Sequence, residues 1–413
     1  MSKPLLTSRE LLTRPLGSMV SIDPESLPLG TNPSFEFHYF DISCAANGRL
    51  QIPATSITYA EAPSRARRIV RNGDVLMSTV RPSLKAFAYC NMPEGSYVAS
   101  TGFAVLRAVE GNDPRYILYS ILSDDVARQI ESYVVGSNYP AINSSDVKRL
   151  QIPDWKPPQQ RRIAEILSTV DEAIEQTESL IAKYQQIKAG LMQDLFTRGV
   201  TPDGHLRPTR AQAPYLYKES PLGWIPKEWE VFAIAQLGRL GRGRVISQDY
   251  LEMHPGEYPV YSSQSIDEGV FGKIDSYDFE GEYVTWTTDG AFAGTVFYRC
   301  GRFNCTNVCG TIHPFVFVDA KFLAGVLSGK TSRHVSYVGN PKLMNNVMAK
   351  IQVPIPKNIA EQKTIAHRIE AAGLVLKSHA EDRQKLRHQK QGLMQDLLTG
   401  RVRVKVGEAE EKR

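Results

Sequence analysis

The sequence predicts an α+β protein with two tandem mixed α/β domains, separated by two long helices that pair as an antiparallel coiled coil in a pseudo-twofold duplication. The first observation is a repeated hexapeptide, Gly-Leu-Met-Gln-Asp-Leu, which occurs at residues 190–195 and again at 392–397, an offset of 202. The second is a heptad spacing of apolar residues before each copy. The third is the divergence of the segments between the repeats. An internal repeat of this kind indicates duplication of a whole domain-and-helix unit.

The repeat extends beyond the hexapeptide. At the same offset, five residues of the first copy recur in the second: Gln160, Ile163, Ala164, Lys188 and Thr197 match Gln362, Ile365, Ala366, Lys390 and Thr399. Just upstream, Leu150–Pro153 matches Ile351–Pro354 at an offset of 201. Each half therefore closes with the same long helical segment.

Both repeated segments are predicted to be long helices. Pro157 and Pro158 stand where a helix can begin, and Gly199 stands where one can end. About forty residues at ~1.5 Å rise give a rod on the order of 60 Å, which needs a partner to cover its apolar seam. An amphipathic helix packed on its own domain is the alternative. We expect pairing through Ile163, Leu167, Val170, Ile174, Ile181, Leu191 and Leu195 of the first helix and Ile365, Ile369, Leu376, Leu386, Leu393 and Leu397 of the second.

The repeat divides the chain into consecutive segments. These are a first variable domain at 1–155, a helix at 156–199, a proline-spaced linker at 200–220, a second variable domain at 221–354, a helix at 355–402 and a tail at 403–413. Short β-branched or aromatic runs predict strands at Asp74–Thr79, Phe103–Leu106, Tyr283–Thr287, Thr295–Tyr298 and Phe315–Val318. One helix is predicted near the end of each variable domain, over Arg115–Tyr133 and Lys321–Leu327.

Composition sets mild limits. The length of 413 residues allows two or three domains, and a net charge of +5 permits an anionic partner. No apolar stretch has the length of a membrane span, and the amino terminus lacks the apolar core of a signal peptide. Five cysteines in a chain this long favour a reducing compartment. These features predict a soluble, cytoplasmic protein.

Motifs of catalysis are missing from the sequence. It contains no P-loop string, no Asp- or Asn-Pro-Pro-aromatic element of amino-methyltransferases and no triad-like histidine setting. The glycines at 238–243 lack the order of a dinucleotide-binding loop. Cys300, Cys305, Cys309 and His313 are of the right types for zinc but lack paired C-x2-C spacing, so buried free thiols are the favoured interpretation. We expect no catalytic residue, no metal site and no cofactor bound by this chain.

Basic residues cluster in both variable domains. Residues 62–85 carry many cations against one acid, Asp74, and a second group lies at 238–244. Taken singly, these charges are best interpreted as solvated surface, but two clusters beside amides and aromatics favour phosphate and base contact. The candidate DNA-contacting residues are Arg65, Arg67, Arg68, Arg71, Arg81, Lys85, Asn138, Tyr139, Arg242, Arg244, Ser263, Gln264, Thr288, Asp289, Lys342 and Asn345.

With its tandem halves, twin helices and repeated closing segments, the chain resembles the specificity subunit of type I restriction-modification enzymes over nearly its whole length. The most specific elements are Pro153–Gly199 and Pro354–Val402. Pro221–Trp229 looks like the opening of a second target-recognition domain, whereas Arg14–Pro28 is a poor match to that opening in the first half.

The resemblance implies a division of labour. This subunit would bind a bipartite, asymmetric site in double-stranded DNA, with one half-site per recognition domain and the antiparallel helices fixing the distance between them. Modification subunits that use S-adenosylmethionine would methylate adenines, and a restriction subunit that uses ATP and Mg would complete the nuclease. The alternative is a non-DNA coiled-coil scaffold with two protein-binding domains. An enzyme acting alone is disfavoured by the missing motifs.

Overall fold

A computed structural model describes residues 11–109, 111–135, 140–264 and 266–406. The chain divides into two compact units. The first comprises Met1–Ser179 and Glu381–Arg413, and the second comprises Leu180–Ala380. Each unit therefore holds one variable domain and a part of each long helix.

The first unit contains short strands and four helices in its described residues. The strands are β1 (Thr13–Pro15), β2 (Val20–Ile22), β3 (Glu36–Phe40), β4 (Ala45–Ala46), β5 (Arg49–Leu50), β6 (Ile57–Thr58), β7 (Ala66–Ile69), β8 (Val75–Ser78), β9 (Phe87–Tyr89), β10 (Tyr97–Ser100), β11 (Phe103–Ala108) and β12 (Gln151–Pro153). The helices are α1 (Pro114–Leu122), α2 (Asp124–Tyr133), α3 (Ser144–Arg149) and α4 (Pro157–Arg198), whose last part belongs to the second unit, with 3-10 turns at Leu16–Ser18, Ile42–Cys44 and Pro82–Leu84.

The second unit repeats this plan in different lengths. Its strands are β13 (Tyr217–Ser220), β14 (Gly223–Pro226), β15 (Trp229–Ala233), β16 (Gly238–Arg242), β17 (Pro255–Tyr261), β18 (Val270–Ile274), β19 (Phe279–Thr287), β20 (Val296–Cys305), β21 (Cys309–Pro314) and β22 (Gln352–Pro356). The helices are α5 (Gln248–Met253), α6 (Ala320–Ser328), α7 (Asn345–Met348) and α8 (Ile359–Leu398), whose last part belongs to the first unit. The 3-10 turns are at Pro214–Leu216, Ile234–Gln236, Ile266–Gly269 and Thr331–His334.

The central sheets of the two units have the same topology. One has the antiparallel order β2-β11-β8-β9, and the other begins β16-β21-β19-β20. Beside each sheet, a strand near the start of the domain pairs with the strand that precedes the long helix, as β1 with β12 and β15 with β22. The 3-10 turn after β1 is also held as in the second unit, because the Leu16 and Ile234 amides donate to the Leu150 and Ile351 carbonyls at 2.7 and 3.0 Å. The first domain therefore keeps the geometry of the second domain's opening without its sequence.

The units differ in what is inserted between matching strands. Between β2 and β8, residues 23–74 supply most of a separate sheet of order β6-β3-β10-β7. Between β16 and β19, residues 243–278 supply α5 and the strands β17 and β18, which extend the central sheet to six strands. Divergence is thus concentrated in these insertions and in the loops beside them.

Two of the predicted elements are wrong. The helix predicted over Arg115–Tyr133 is two helices, because Ser123 is extended (ψ 156°) and its side chain caps α2 by accepting from the Val126 amide at 3.3 Å. The strand predicted over Phe315–Val318 is a turn. The Val318 amide donates to the Phe315 carbonyl at 2.9 Å, and Asp319 then caps α6. The other predicted runs fall within β8, β11, β19 and β20 apart from their terminal residues.

The long helices contribute to both the pairing and the domain cores. In the first unit, Ile163 and Leu167 of α4 join Leu397 and Leu398 of α8 in the core of the variable domain. In the second unit, Leu195 of α4 and Ile365 of α8 do the same. The same apolar residues of the seam therefore pair the two helices and pack against the variable domains. No helix in the described ranges is long and apolar enough to cross a membrane.

A buried glutamine joins each long helix to its domain. Gln160 and Gln362 are fully buried, and their Oε1 atoms accept from the backbone amides of Asp113 and Asp319 at 2.9 and 2.8 Å. Their Nε2 atoms donate to a carbonyl shortly before the helix at 2.7 and 2.9 Å. The two aspartates in turn cap α1 and α6. Because a buried amide left unpaired is costly, this contact explains why glutamine recurs 202 residues apart.

Candidate nucleic-acid interface

Each central sheet has one end near a long helix and one end away from it. In the second unit, β21 ends at Pro314, close to the Asp319 amide that Gln362 of α8 binds, whereas its first residue, Cys309, pairs with Thr287. Six residues at ~3.3 Å rise separate these ends by on the order of 20 Å. We call the end at Thr287 the loop end, and the equivalent end in the first unit is at Ser78, where β8 meets the start of β11.

Two loops lie side by side at the loop end of the second unit. The first, residues 288–295, connects β19 and β20. The second, residues 336–342, is a hairpin in which Ser336 and Lys342 exchange backbone hydrogen bonds of 2.9 Å. The Gly290 amide donates to the Pro341 carbonyl at 3.0 Å and joins the two loops. Backbone contacts thus fix one loop against the other.

Five of the predicted DNA-contacting residues meet at this loop end. The Arg242 guanidinium donates to Thr288 Oγ1 and to Asp289 Oδ2, both at 3.1 Å, and Lys342 Nζ lies 3.9 Å from Asp289 Oδ1. Asn345 Nδ2 donates to the carbonyl of Gly241, the neighbour of Arg242, at 2.9 Å, and its Oδ1 has no partner among the described residues. The arrangement presents two cations, a carboxylate, a hydroxyl and an amide on one edge.

The other three candidates of the second half lie beside the insertion. Arg244 Nε donates to Asp278 Oδ2 at 2.8 Å, and its guanidinium lies 5.0 Å from the Tyr250 ring centroid. Gln264 donates to the Val270 carbonyl, so its amide nitrogen is used within its own loop, and Ser263 is half-buried. Ser263 and Gln264 are therefore less available to an external partner, whereas Arg244 is ion-paired and partly exposed, as Arg242 is at the loop end.

The loop end of the first unit has the same backbone plan. Val135 and Ala141 exchange backbone hydrogen bonds of 3.1 and 3.2 Å, and the Arg81 amide donates to the Pro140 carbonyl at 2.7 Å. These contacts match those of Ser336, Lys342 and Gly290 in the second unit. Asn138 and Tyr139, which were predicted to contact bases, lie outside the described residues.

Arg81 and Lys85 flank a 3-10 turn at this loop end. Both have left-handed backbone conformations, with φ of 47° and 49°, which is uncommon for residues with side chains. Lys85 Nζ donates to the last carbonyl of α1, that of Leu122, at 2.9 Å and lies 3.6 Å from Asp124. Leu84 between them is 67% exposed. The turn therefore presents an apolar side chain between two basic residues.

The basic cluster at residues 65–71 is divided by the fold. Arg68 pairs with Asp23 at 3.1 Å, and Arg71 pairs with Glu25 at 2.6 Å. Hydrogen bonds from Arg107 first, and from Arg71 second, lower the pKa of the Glu25 carboxyl group. Half of the cluster is therefore used in internal ion pairs.

The other two arginines differ from this pair. Arg67 donates to the Tyr59 hydroxyl and, at 3.2 Å, to the Ser64 carbonyl. Arg65 is exposed, and its side chain has no hydrogen bond or ion pair with any residue that the structure describes. Arg65 is thus the cation of this cluster most available to a phosphate.

The seam residues predicted for helix pairing are all buried or half-buried. In the first unit, Lys390 Nζ lies 2.6 Å from Asp171, and Arg387 lies 2.8 Å from Glu178, which also pairs with Arg49 of the variable domain at 2.6 Å. As the residue number rises along α4, that of its partner falls along α8, so the helices are antiparallel in this unit.

In the second unit, the Tyr184 and His379 rings stack with centroids 5.3 Å apart. Leu191, Phe196 and Leu195 of α4 share a core with Ile365 and Ile369 near the start of α8, so the later part of one helix meets the earlier part of the other. The helices therefore run antiparallel here as well.

Several exposed apolar side chains at the loop ends were missed by the sequence argument. Phe292, Tyr337 and Val338 lie on the two loops of the second unit, and Leu84 and Val135 lie on the corresponding loops of the first. Apart from Leu84, these residues are aromatic or β-branched and lie close to the Gly and Pro residues of turns, which is the sequence signal that could have predicted them.

Metal-ligating residues are not grouped in the described ranges, where no set of three or more His, Cys, Asp or Glu residues could hold an ion. Cys305 and Cys309 are buried free thiols in an aromatic cluster, as expected. Cys300 is also a free thiol but is exposed, because its side chain lies on the solvent side of β20. The interpretation as buried thiols was therefore wrong for Cys300.

The fold and its loop ends define a duplicated protein that presents two different polar edges on a paired-helix frame. The family model of the type I restriction modification DNA specificity domain matches the chain twice, at residues 32–186 and 226–387, which is more than half of its length. The chain belongs to this family. The match confirms the resemblance inferred from the repeated helices.

Known relatives agree with this assignment. The chain is 44% identical over 142 residues to the amino-terminal part of a putative type I specificity subunit from Mycoplasma pneumoniae, covering 32% of this chain and 73% of that protein. It is 27% identical over 324 residues to a putative type I restriction enzyme specificity subunit from Methanocaldococcus jannaschii, covering 71% and 69%. For two further M. pneumoniae relatives, the aligned part is only 45% and 38% of their length.

A solved structure shows the same fold. The crystal structure of a type I restriction-modification S subunit from M. genitalium matches with a TM-score of 0.62 at 15% identity, covering 96% of this chain and 98% of that one. The predicted fold class, two tandem mixed α/β domains with two long paired helices, is confirmed.

Proposed function

We propose that this chain is the DNA sequence-recognition subunit of a type I restriction-modification complex and that each variable domain binds one half of a bipartite, asymmetric site. The observation that carries the proposal is the loop end, which occurs twice on one backbone plan with different side chains. One edge presents Arg242, Asp289 and Lys342, and the other presents Arg81, Leu84 and Lys85. Two different surfaces on one frame are what an asymmetric two-part site requires.

The chain itself is proposed to be non-catalytic and cytoplasmic. Its sequence lacks nucleotide-binding and methyltransferase motifs, and its family is named for DNA specificity. S-adenosylmethionine, ATP and Mg would be used by the partner subunits, with no cofactor bound here. Alone, the purified chain should neither methylate nor cleave DNA.

The partners are proposed to be modification subunits and restriction subunits that dock on the repeated helix segments. Gly190 and Gly392 lie within helices, and a Cβ added at either would meet nothing within 4 Å among the described residues. A mid-helix glycine costs about 1 kcal/mol relative to alanine, so its presence in both copies is unexplained by internal packing. Gln193 and Gln395, three residues on, are also identical and exposed. Close approach by the same partner at both places accounts for the identity.

Blocking one of these places tests the docking proposal. Gly392→Trp should reduce the number of modification subunits bound per chain from two to one, as measured by native mass spectrometry. The matched control is Gln176→Trp, an exposed position of α4 whose counterpart in the repeat, Ser378, is a different residue. Equal stoichiometry in both variants would contradict the proposal.

The paired helices are proposed to set the gap between half-sites. Tyr184 and His379 stack on each other in the antiparallel pair, so four residues inserted after Tyr184 and four inserted before His379 lengthen both helices on the same side of this contact and keep the pairing in register. At ~1.5 Å rise per residue the insertion adds about 6 Å, which corresponds to about two base pairs. Methylome sequencing should show a longer gap between unchanged half-sites. A constant gap with altered half-sites would contradict this role.

DNA binding itself separates the proposal from the scaffold alternative. The chain reconstituted with its modification subunit should bind duplex DNA with an affinity that falls steeply with salt, because phosphate contacts release counterions. It should also prefer the duplex that carries the motif methylated in the host. A complex that binds no DNA at low salt would favour a scaffold with two protein-binding domains.

A further inference from the structure

The two joined loops at the loop end of the second unit carry three exposed large apolar side chains. Val338 is 92% exposed, Tyr337 is 70% exposed and Phe292 is 50% exposed. Tyr337 and Val338 are neighbours on the 336–342 hairpin, and Phe292 is on the adjoining 288–295 loop. Single exposed apolar residues are ordinary, but a group of them ringed by polar residues marks a contact surface.

Backbone contacts hold these side chains outward. The hairpin is closed by the paired hydrogen bonds of Ser336 and Lys342, and Gly339 turns its tip with a φ of 75°. On the other loop, the Thr295 amide donates to the Phe292 carbonyl at 3.0 Å. Since the loops are joined at Gly290 and Pro341, the two tips cannot separate without breaking a backbone hydrogen bond.

The polar neighbours of the tips are already used. Arg242 and Lys342 both face Asp289, and Thr288 Oγ1 also lies 2.6 Å from this carboxylate. A cation paired with a carboxylate retains fewer free donors for bases. The exposed apolar tips therefore supply chemistry that the charged group lacks, while the nearby cations suit the phosphates that flank any base contact.

We propose that Tyr337 and Val338, with Phe292 beside them, contact bases of the second half-site and bury their apolar surface, above all the C5 methyl group of thymine. This methyl is the apolar feature that distinguishes thymine in the major groove. The inference rests on the proposed DNA-recognition function and adds the residues and the chemistry of one contact.

The first unit provides an internal contrast. Val135 and Ala141 align with Ser336 and Lys342 by their backbone pairing, so the positions of Tyr337 and Val338 correspond to Gly136 and Ser137 in the sequence. Neither of those residues has a large apolar side chain. Tyr337 and Val338 therefore have no apolar counterpart at these two hairpin positions, although Leu84 and Val135 are exposed elsewhere at the loop end of the first unit.

The test uses the chain in complex with its modification subunit and duplexes that carry the methylated motif of the host. Thymines of each half-site are replaced one at a time by deoxyuridine, which removes only the C5 methyl. An adenine-methylated half-site contains at least one A·T pair, so each half-site offers a thymine. Three proteins are compared: wild type, the double substitution Tyr337→Ser with Val338→Ser (the tip variant), and the matched control Val316→Ser. Val316 is 97% exposed and lies beyond the opposite end of the sheet.

For wild type and the control, deoxyuridine at one or more positions of the second half-site should weaken binding about fourfold, the effect of losing one buried methyl. The tip variant should bind thymine and deoxyuridine duplexes equally while keeping its preference in the first half-site, which shows that it is folded. Its salt dependence should match wild type, since no phosphate contact is removed.

Two results would overturn the inference. One is specific binding by wild type that ignores the methyls of the second half-site, and the other is a tip variant that remains as sensitive to them as wild type. If wild type shows no sequence preference at all, the proposed function fails, and the inference fails with it.

Discussion

The two units of this protein are alike where polar groups are buried and unlike where loops are exposed. Gln160 and Gln362 make the same pair of hydrogen bonds to a capped helix and to the chain before the long helix. At the loop ends the backbone hydrogen bonds are also shared, yet the side chains differ. The comparison teaches that the frame is fixed by a few buried polar contacts, which leaves the loop ends free to diverge.

The junction between long helix and domain shows a difference of another kind. In the second unit, Glu361 accepts from the Val200 amide at 3.1 Å and from Trp229 Nε1 at 3.0 Å, and it pairs with the buried Arg207. At the corresponding position of the first unit, Gln159 accepts only the Lys156 amide among the described residues, at 3.3 Å. At this junction, the second unit therefore carries a buried ion pair that the first lacks among its described residues.

The largest predicted effect follows from this difference. Glu361→Ala should lower the free energy of unfolding of the second unit by about 3–5 kcal/mol, because the buried Arg207 guanidinium keeps only the exposed Glu228 carboxylate, and the Trp229 indole and the Val200 amide lose their acceptor. Gln159→Ala in the first unit is the control and should change stability little. Hydrogen exchange measured by mass spectrometry resolves the two units. Equal losses of protection from both substitutions would show that the contacts of Glu361 stabilise the second unit no more than those of Gln159 stabilise the first.

The second prediction concerns what the units share. Gln160→Ala and Gln362→Ala should each lower the free energy of unfolding by about 1–3 kcal/mol. Each substitution removes the side-chain oxygen that accepts from the backbone amide of Asp113 or Asp319 and leaves that amide without a partner. The same exchange experiment should place each loss in the unit that contains the substitution. A loss confined to one of the two variants would mean that the frames are not equivalent.

The third prediction divides the basic cluster of the first unit. Arg65→Ala should reduce the slope of log affinity against log salt by about 0.9, the value of one phosphate contact. Arg71→Ala should leave that slope unchanged and should instead lower stability, since Arg71 pairs with Glu25 at 2.6 Å. Titrations of the reconstituted complex at several salt concentrations make the distinction. Equal slopes for wild type and Arg65→Ala would assign Arg65 to solvated surface.

The smallest predicted effect is a pH dependence in the first unit. Burial opposes ionisation of Glu178, but hydrogen bonds from Arg49 and then Arg387 outweigh it and lower the pKa of the carboxyl group. A lowered folded-state pKa means that the stabilisation is present above the unfolded-state value of about 4.3 and is lost as the pH falls through the folded-state value.

Glu178→Gln should therefore cost up to about 1 kcal/mol near neutral pH, and the difference from wild type should shrink in acid. Urea unfolding of both proteins between about pH 3 and about pH 7 measures it. Gln176→Ala, an exposed neighbour on α4, is the control. A difference that grows in acid would contradict the sign of this coupling.

Much of the frame could be predicted from the sequence because its signals are local. Pro157 and Pro158 at one end and Gly199 at the other bound the first helix, which spans Pro157–Arg198. The repeat predicted the second helix in the same register. By contrast, the turn at Phe315–Val318 has a strand-like composition, and only the cap that Asp319 forms on α6 shows that the strand has already ended.

The interface was harder to predict because charge and exposure depend on distant residues. The segment around Arg71, residues 62–85, contains one acidic residue, Asp74. The carboxylate that pairs with Arg71 is instead that of Glu25, which lies 46 residues upstream. Similarly, the exposure of Tyr337 follows from a hairpin closed by Ser336 and Lys342 and held against another loop. No local pattern encodes either relation.

The central claim, that each variable domain recognises one half-site independently, is tested most directly by exchanging one domain. Residues 238–348 would be replaced by the corresponding segment of a relative with a different site, which keeps Trp229, Glu361 and both long helices. Methylome sequencing of a host that carries the chimera should show one altered half-site, the other half-site unchanged and the same gap between them. A folded chimera in which both half-sites change, or neither does, would contradict the account.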